Sequence, residues 1–249
     1  MSVLATDGYA LVPYDAKVAK WAAAARQAAG PVLNDPDQIS AWLRHQGTWF
    51  VGVDALPNDA DGSVGGVALE VAGVDHAHWH AAQVSVVYPG YPQQDPTETQ
   101  ANHRFRVNRD AAHVDGLLPD PATGARRLKE PHGFILGLPL NKASGGASPL
   151  VVWRGSHLIM GAFFTEFFGD HPVETWADLD LSGPYKDARR RCFEQCARVE
   201  LPAQPGEATL LHRHALHGVA PWADGATAPD EGRMIAYFRP QVPNWRDWL

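Results

Sequence analysis

The chain has 249 residues, 45% of them hydrophobic and 20% charged, and a formal net charge of −7. That composition excludes a disordered chain and allows one sizeable core, so residues 1–249 read as a single domain. The acidic balance excludes the basic footprint of a nucleic-acid binder.

The start of the chain has no basic segment followed by an apolar run, so no secretory signal is expected. Two N-terminal helices are predicted within residues 15–46, packing on a β core. Asp15 can cap the first, which Gly30 can end; Asp35 followed by Pro36 can start the second, which Gly47 can close. Residues 48–53, 65–71 and 83–89 are short, rich in β-branched residues and bounded by Gly, Pro and Asp, so they read as strands. The polar, aperiodic stretch 92–103 reads as a long exposed loop. Strand-like pieces resume at 105–110, 112–116, 133–140 and 149–153. Ser156 can cap an apolar helix over 157–168, and 184–197 looks helical again. Cys192 and Cys196 lie four apart in that run; two cysteines make no disulfide framework, and reduced thiols are expected. Residues 197–201, 208–213 and 233–240 close the chain as strands. No apolar run approaches membrane-spanning length, so the expected setting is cytoplasmic with no membrane partner. Short strands separated by turn signals suggest a sandwich or barrel. The fold expected is mainly β: a double-stranded β-helix, or cupin-like jelly roll, with flanking helices.

Twelve histidines make chance clusters inevitable. One arrangement stands out. His113 and Asp115 are two apart, and on a strand alternate side chains share a face. Far downstream, His212, His214 and His217 can each bring a third ligand from another strand. Two His and one carboxylate on one face of a metal leave the opposite positions open, the ligand set of non-haem Fe(II) oxygenases. A second run, His76, His78 and His80, has only Asp75 as an obvious carboxylate partner and reads as a partly exposed edge. His132 reads either as facing the barrel mouth or as a satisfied structural histidine. Arg126, Arg127 and Lys129 form a basic stretch that reads first as a solvated loop and second as a contact for an anionic substrate.

Three segments, in order, resemble the phytanoyl-CoA dioxygenase family. His113-Val114-Asp115 looks like its proximal metal motif. Ser148 to Leu158 is similar to its apolar strand ending in a Gly-Ser-His turn, although Arg154 stands where the family has Pro. Gly206 to Pro221, followed by Gly232 to Pro240, looks like the distal half, with residues 222–232 stretching the gap between His217 and Arg233. The resemblance spans roughly Gln83 to Pro240. It implies a double-stranded β-helix, Fe(II) held by His113, Asp115 and His217, and 2-oxoglutarate as cosubstrate. It makes His217, followed by Gly218 and then Pro221, the distal ligand, and leaves His212 and His214 to packing. It gives Arg233 the distal carboxylate of 2-oxoglutarate, with Arg239 more plausibly in a structural pair, and offers Tyr88 as a second 2-oxoglutarate contact. The implied reaction is hydroxylation of a small molecule by O2, releasing succinate and CO2. The rivals are a cupin-like metalloenzyme without 2-oxoglutarate, which has no need of Arg233, and a non-catalytic barrel that has kept the ligands.

Overall fold

The computed structural model describes residues 3–76 and 78–249. A short helix, α1 (Val3–Asp7), leads into strand β1 (Tyr9–Val12). Asp15 then accepts a hydrogen bond from the Lys17 amide at 2.7 Å and starts α2 (Ala16–Leu33). This helix does not stop at Gly30. It continues through Pro31, whose missing N–H costs one bond, and Asn34 closes it by donating from Nδ2 to the Gly30 carbonyl at 2.8 Å. Helix α3 (Pro36–Trp42) starts at Asp35 as predicted but ends before Gly47. His45, Gln46 and Gly47 all adopt positive φ, and the Asp95 carboxylate accepts from the His45 and Gln46 amides at 2.9 and 3.0 Å. That turn reverses the chain between β2 (Leu43–Arg44) and β3 (Trp49–Phe50).

Two other expectations are corrected. The strand predicted over 65–71 is absent; turns at Gly65 and Gly66 leave only the isolated bridges Val64–Val67 and Val71–Val74. Beyond β4 (Gln83–Val87), the strand predicted over 105–110 is part of a helix, α4 (Gln100–Arg109). Thr99 caps it, its side chain accepting from the Asn102 amide at 3.2 Å.

The remaining α-helices and strands are β5 (Leu117–Pro119), β6 (Arg126–Leu128), β7 (Phe134–Pro139), β8 (Leu150–Arg154), α5 (Ser156–Phe168), α6 (Ser182–Gln195), β9 (Ala197–Leu201), β10 (Ala208–His212), β11 (His217–Val219) and β12 (Arg233–Phe238). They form two antiparallel sheets in the jelly-roll manner, ordered β1-β10-β7-β12-β4-β3-β2 and β11-β8-β9, with β5 and β6 as a separate hairpin.

Alternation along the strands sorts the core into layers. Val84, Val86, Leu136, Leu138 and Ala236 of the large sheet face α2, where Val18, Trp21, Ala22 and Ala25 are fully or almost fully buried. Ile135 and Leu211 face inward and meet Leu150, Val152 and Leu201 of the small sheet. The outer face of the small sheet, Val151 and Trp153, packs on Phe164, Phe168 and Cys192 of α5 and α6. Each fully buried Phe or Leu in these layers contributes about 1.5–3 kcal/mol by transfer from water. Burial pushes the Cys192 thiol up to about 12, so it is an inert core residue. No helix among the described residues is long and apolar enough to cross a membrane.

Candidate metal centre

Helix α4 ends at Asp110, in the left-handed region at φ 55, with its carboxylate buried and gripped twice by Arg198 at 2.8 Å. The chain then passes beside β11. His113 and His217 exchange two backbone hydrogen bonds, His113 N–H to the His217 carbonyl at 2.8 Å and the reverse at 3.0 Å. Pairing stops there, because the Val114 amide donates to the Tyr185 hydroxyl at 2.9 Å rather than to a strand. His113 and Asp115 therefore do not share a strand face, as the spacing predicts. Asp115 is brought round by a turn at Gly116, φ 83, packed so closely on the Glu130 carbonyl that a Cβ there would lie 1.9 Å from it.

The result is one compact group. The ligand atoms of His113, Asp115 and His217 all lie within 4.8 Å of one another, with Asp115 Oδ1 at 2.9 Å from His113 Nε2 and 3.7 Å from His217 Nε2. Each imidazole donates from Nδ1 to a carbonyl, that of Ala111 at 3.0 Å and that of Ala215 at 2.9 Å. A carbonyl only accepts, so in both rings Nδ1 carries the proton and Nε2 is turned toward Asp115. Burial lowers His217 to about 4 against the pull of Asp115, so its ring is neutral at pH 7 and presents a lone pair. Burial alone would raise Asp115, but the carboxyl is held well below the usual range, with the Arg239 charge the largest cause of the lowering. A lone pair facing a carboxylate is unfavourable without a cation between them. The donor set of two imidazoles and one carboxylate fits a divalent transition metal with open positions.

The group sits in a cavity of about 730 Å³ between the two sheets, a size suited to a small organic ligand. Arg239, just past β12, is the notable neighbour. Its guanidinium donates to Asp115 Oδ2 at 3.3 Å and also to Gln83. Its backbone is held on both sides: the N–H donates to His80 Nε2 at 2.7 Å, and the carbonyl accepts from His132 Nδ1 at 3.0 Å. His80 and His132 thus have structural work beside the centre. His76 packs edge-on against Trp79 and Phe134. Among the described residues, only His113, Asp115 and His217 group as metal ligands.

Arg233 begins β12 and pairs with Val87, which places it on the same face as Ile235 and Tyr237, turned toward the interior between the sheets. It is buried, it is not among the residues lining this cavity, and among the described residues it has no carboxylate within ion-pair distance and no side-chain hydrogen bond. The structure does not bring Tyr88 to this cavity. Following β4 with the parity of Val84 and Val86, it lies on the opposite face and packs on the α2 side of the sheet. Tyr91 lines the cavity instead.

Ser156 does not cap α5; Gly155 stands at that position, and the Ser156 hydroxyl accepts from the Leu216 amide at 2.9 Å, steadying the segment that delivers His217. His212 packs against His157 and His214, with ring centroids 4.9 and 5.3 Å away. Burial lowers His212 to about 4 and His214 to about 3, and His214 Nε2 has no partner. Because their folded values lie below the unfolded value, both rings stabilise the fold fully above about pH 6.5, and that contribution fades as pH falls toward 4. His214→Phe, between Phe164 and Trp248, should unfold in urea at pH 7 no more easily than the parent. At pH 5 it should be more stable by on the order of 1–2 kcal/mol. Parallel pH dependence of the two proteins would refute the assignment.

No family model matches the chain, and no curated protein matches it. Among solved structures, the chain is similar to the non-heme alpha ketoglutarate dependent carbocyclase SnoK from nogalamycin biosynthesis, at 16% identity over 97% of this chain and 85% of that one, TM-score 0.46. It is similar to EctD from S. alaskensis with bound Fe, at 18% identity over 95% and 73%, TM-score 0.45. It is also similar to AviO1 from Streptomyces viridochromogenes Tue57, at 13% identity over 97% and 94%, TM-score 0.42.

Proposed function

We propose that this chain is an Fe(II)- and 2-oxoglutarate-dependent dioxygenase of the phytanoyl-CoA dioxygenase kind, hydroxylating a small organic molecule with O2. The observation that carries this reading is the convergence of His113, Asp115 and His217, with both imidazole Nε2 atoms turned toward Asp115, in a cavity of small-molecule size. These three side chains would hold Fe(II) on one face. When bound, Fe(II) with 2-oxoglutarate and O2 supplies the oxidising power for attack on a C–H bond, and succinate and CO2 are released.

The protein's own part is positional. The carbonyls of Ala111 and Ala215 set the imidazole tautomers. Arg239 orients Asp115 by holding its other oxygen. Arg233, buried and unpaired on an inward strand face, is suited to grip the distal carboxylate of 2-oxoglutarate bidentately. A metalloenzyme without 2-oxoglutarate would leave that buried cation with no role.

Anaerobic calorimetry of the Fe(II)-loaded protein tests the reading directly. The unsubstituted protein should bind 2-oxoglutarate. Arg233→Ala should weaken that binding by about 2–5 kcal/mol, the cost of removing one half of a buried charge-assisted pair, while keeping its iron. Unchanged 2-oxoglutarate affinity in the variant would remove Arg233 from the site, and absence of binding by the parent would refute the function.

A further inference from the structure

The cavity of the metal centre carries more positive charge than its carboxylates can balance. Five of its lining residues are cationic: Arg106, Arg126, Lys186, Arg189 and Arg239. Three are acidic, and each is already engaged. Glu98 pairs with Arg106 at 3.1 Å, Asp110 with Arg198 at 2.8 Å, and Asp115 with Arg239 at 3.3 Å. Arg126, Arg189 and Lys186 are left without a carboxylate among the described residues, in a chain whose net charge is −7. Like charges are ordinarily dispersed over a surface, so an unbalanced concave cluster on an acidic protein points to an anionic ligand.

The two arginines are neighbours. Their guanidiniums lie over the same ring, that of Tyr185, at 5.9 and 5.4 Å from its centroid. Burial, and the Arg126 charge with it, lower Arg189 below its ordinary value, so the pair stays together at a cost that an anion between them would relieve. Each is also oriented by the loop that carries the metal ligands. Arg126 Nη1 donates to the Leu117 carbonyl at 2.8 Å, and Arg189 Nη1 to the Ala112 carbonyl at 3.3 Å. Ala112 and Leu117 flank His113 and Asp115. Phe105 supports Arg189 from beneath at 4.4 Å. The remaining N–H groups of both forks are available for a planar or tetrahedral oxyanion.

We propose that the substrate is an anion, a small molecule whose carboxylate or phosphate group is gripped by Arg126 and Arg189, with Lys186 at the rim. This rests on reading the cavity as the substrate site of the proposed oxygenase. It is separate from the grip assigned to Arg233. That residue belongs to the large sheet, whereas Arg126 stands on the β5–β6 hairpin and Arg189 on α6. The two anions would thus be held apart, the cosubstrate by the large sheet at Arg233, beyond the lining of this cavity, and the substrate on the hairpin and helix wall. The substrate's anionic end would lie beside the ligand loop.

The test is calorimetry on the full chain, loaded with Mn(II) and 2-oxoglutarate, using phenyl phosphate, benzoate and neutral phenol as probes. At least one anion should bind, at least about tenfold tighter than phenol. The tighter of the two anions identifies phosphate or carboxylate as the natural group. Arg126→Gln and Arg189→Gln should each weaken the anion by about tenfold or more with Mn(II) and 2-oxoglutarate affinity unchanged, and Arg189→Lys should recover part of the loss. Three results would overturn the proposal: phenol binding as well as the anions, anion binding that survives both Gln variants, or displacement of the anion by raising 2-oxoglutarate. Loss of Mn(II) in the Gln variants would also overturn it, by making the arginines clamps of the ligand loop. If the parent binds no 2-oxoglutarate yet the Gln variants still lose the anion, the anion site stands and the oxygenase reading fails.

Discussion

Asp115→Ala should leave the protein without iron and without turnover. The carboxylate is the only anionic member of the ligand group and is nearly buried. Removing a partner that merely orients a ligand typically costs 10–100-fold in metal affinity, and loss of the ligand itself should exceed about a hundredfold. The change has a second cost. Arg239, its backbone tied to His80 and His132, would lose its anion. Its side chain is about a fifth exposed, so the stability loss should be about 1–2 kcal/mol, below that of a fully buried broken pair. Iron titration followed by urea unfolding separates the effects. A variant that keeps parental iron affinity would show that Asp115 is not a ligand.

Gly218→Ala should be a severely damaging conservative substitution in the centre. A Cβ at that position would lie 2.1 Å from the Asp110 carbonyl oxygen and 3.3 Å from Ala112 Cα, both backbone atoms that cannot rotate out of the way. Relief requires β11 and the 110–113 segment to part, and these are the two pieces that carry His217 and His113. The expected cost is about 3 kcal/mol, at the upper end for overpacking, with iron affinity falling alongside. Gly30→Ala is the control: nothing lies within 4 Å of its added Cβ, and it sits in the last turns of α2, so it should be neutral or stabilise by about 0.5–1 kcal/mol. Equal stability of Gly218→Ala and the parent would refute the close approach.

The sequence was informative where local chemistry and tertiary structure agree. The inner strands of the large sheet are legible because β4, β7 and β12 are apolar and bounded by turn residues. The three candidate metal ligands are legible because His113 and Asp115 stand two apart in the chain and His217 is followed directly by Gly218. The geometry that joins them is not legible. The Tyr185 hydroxyl intercepts the Val114 amide from 71 residues away, so spacing suggests a pleat where there is a bridge and a turn. Helix α4 was hidden for another reason: it has no buried residue, and Phe105 and Val107 mimic strand alternation. The Arg126–Arg189 pair is assembled from a hairpin and a distant helix. The only signal it left was the basic run at 126–129, in which Arg127 and Lys129 instead bind the carbonyls of Asp178 and Ala177. Tyr88 shows the reverse failure, since the motif around it is suggestive and strand parity turns the side chain away.

The reciprocal hydrogen bonds between His113 and His217 have a bearing on how long the centre lasts. Both imidazoles are carried by residues that also tie the 110–113 segment to the three-residue strand β11. A metal ion held there would be released by a local excursion that breaks those two bonds, without unfolding of the sheets. Such openings have their own free energy, smaller than the global one. Two proteins of equal thermal stability can then differ widely in how readily they surrender iron, depending on how firmly Asp110, Arg198 and the Ser156 hydroxyl pin that narrow seam.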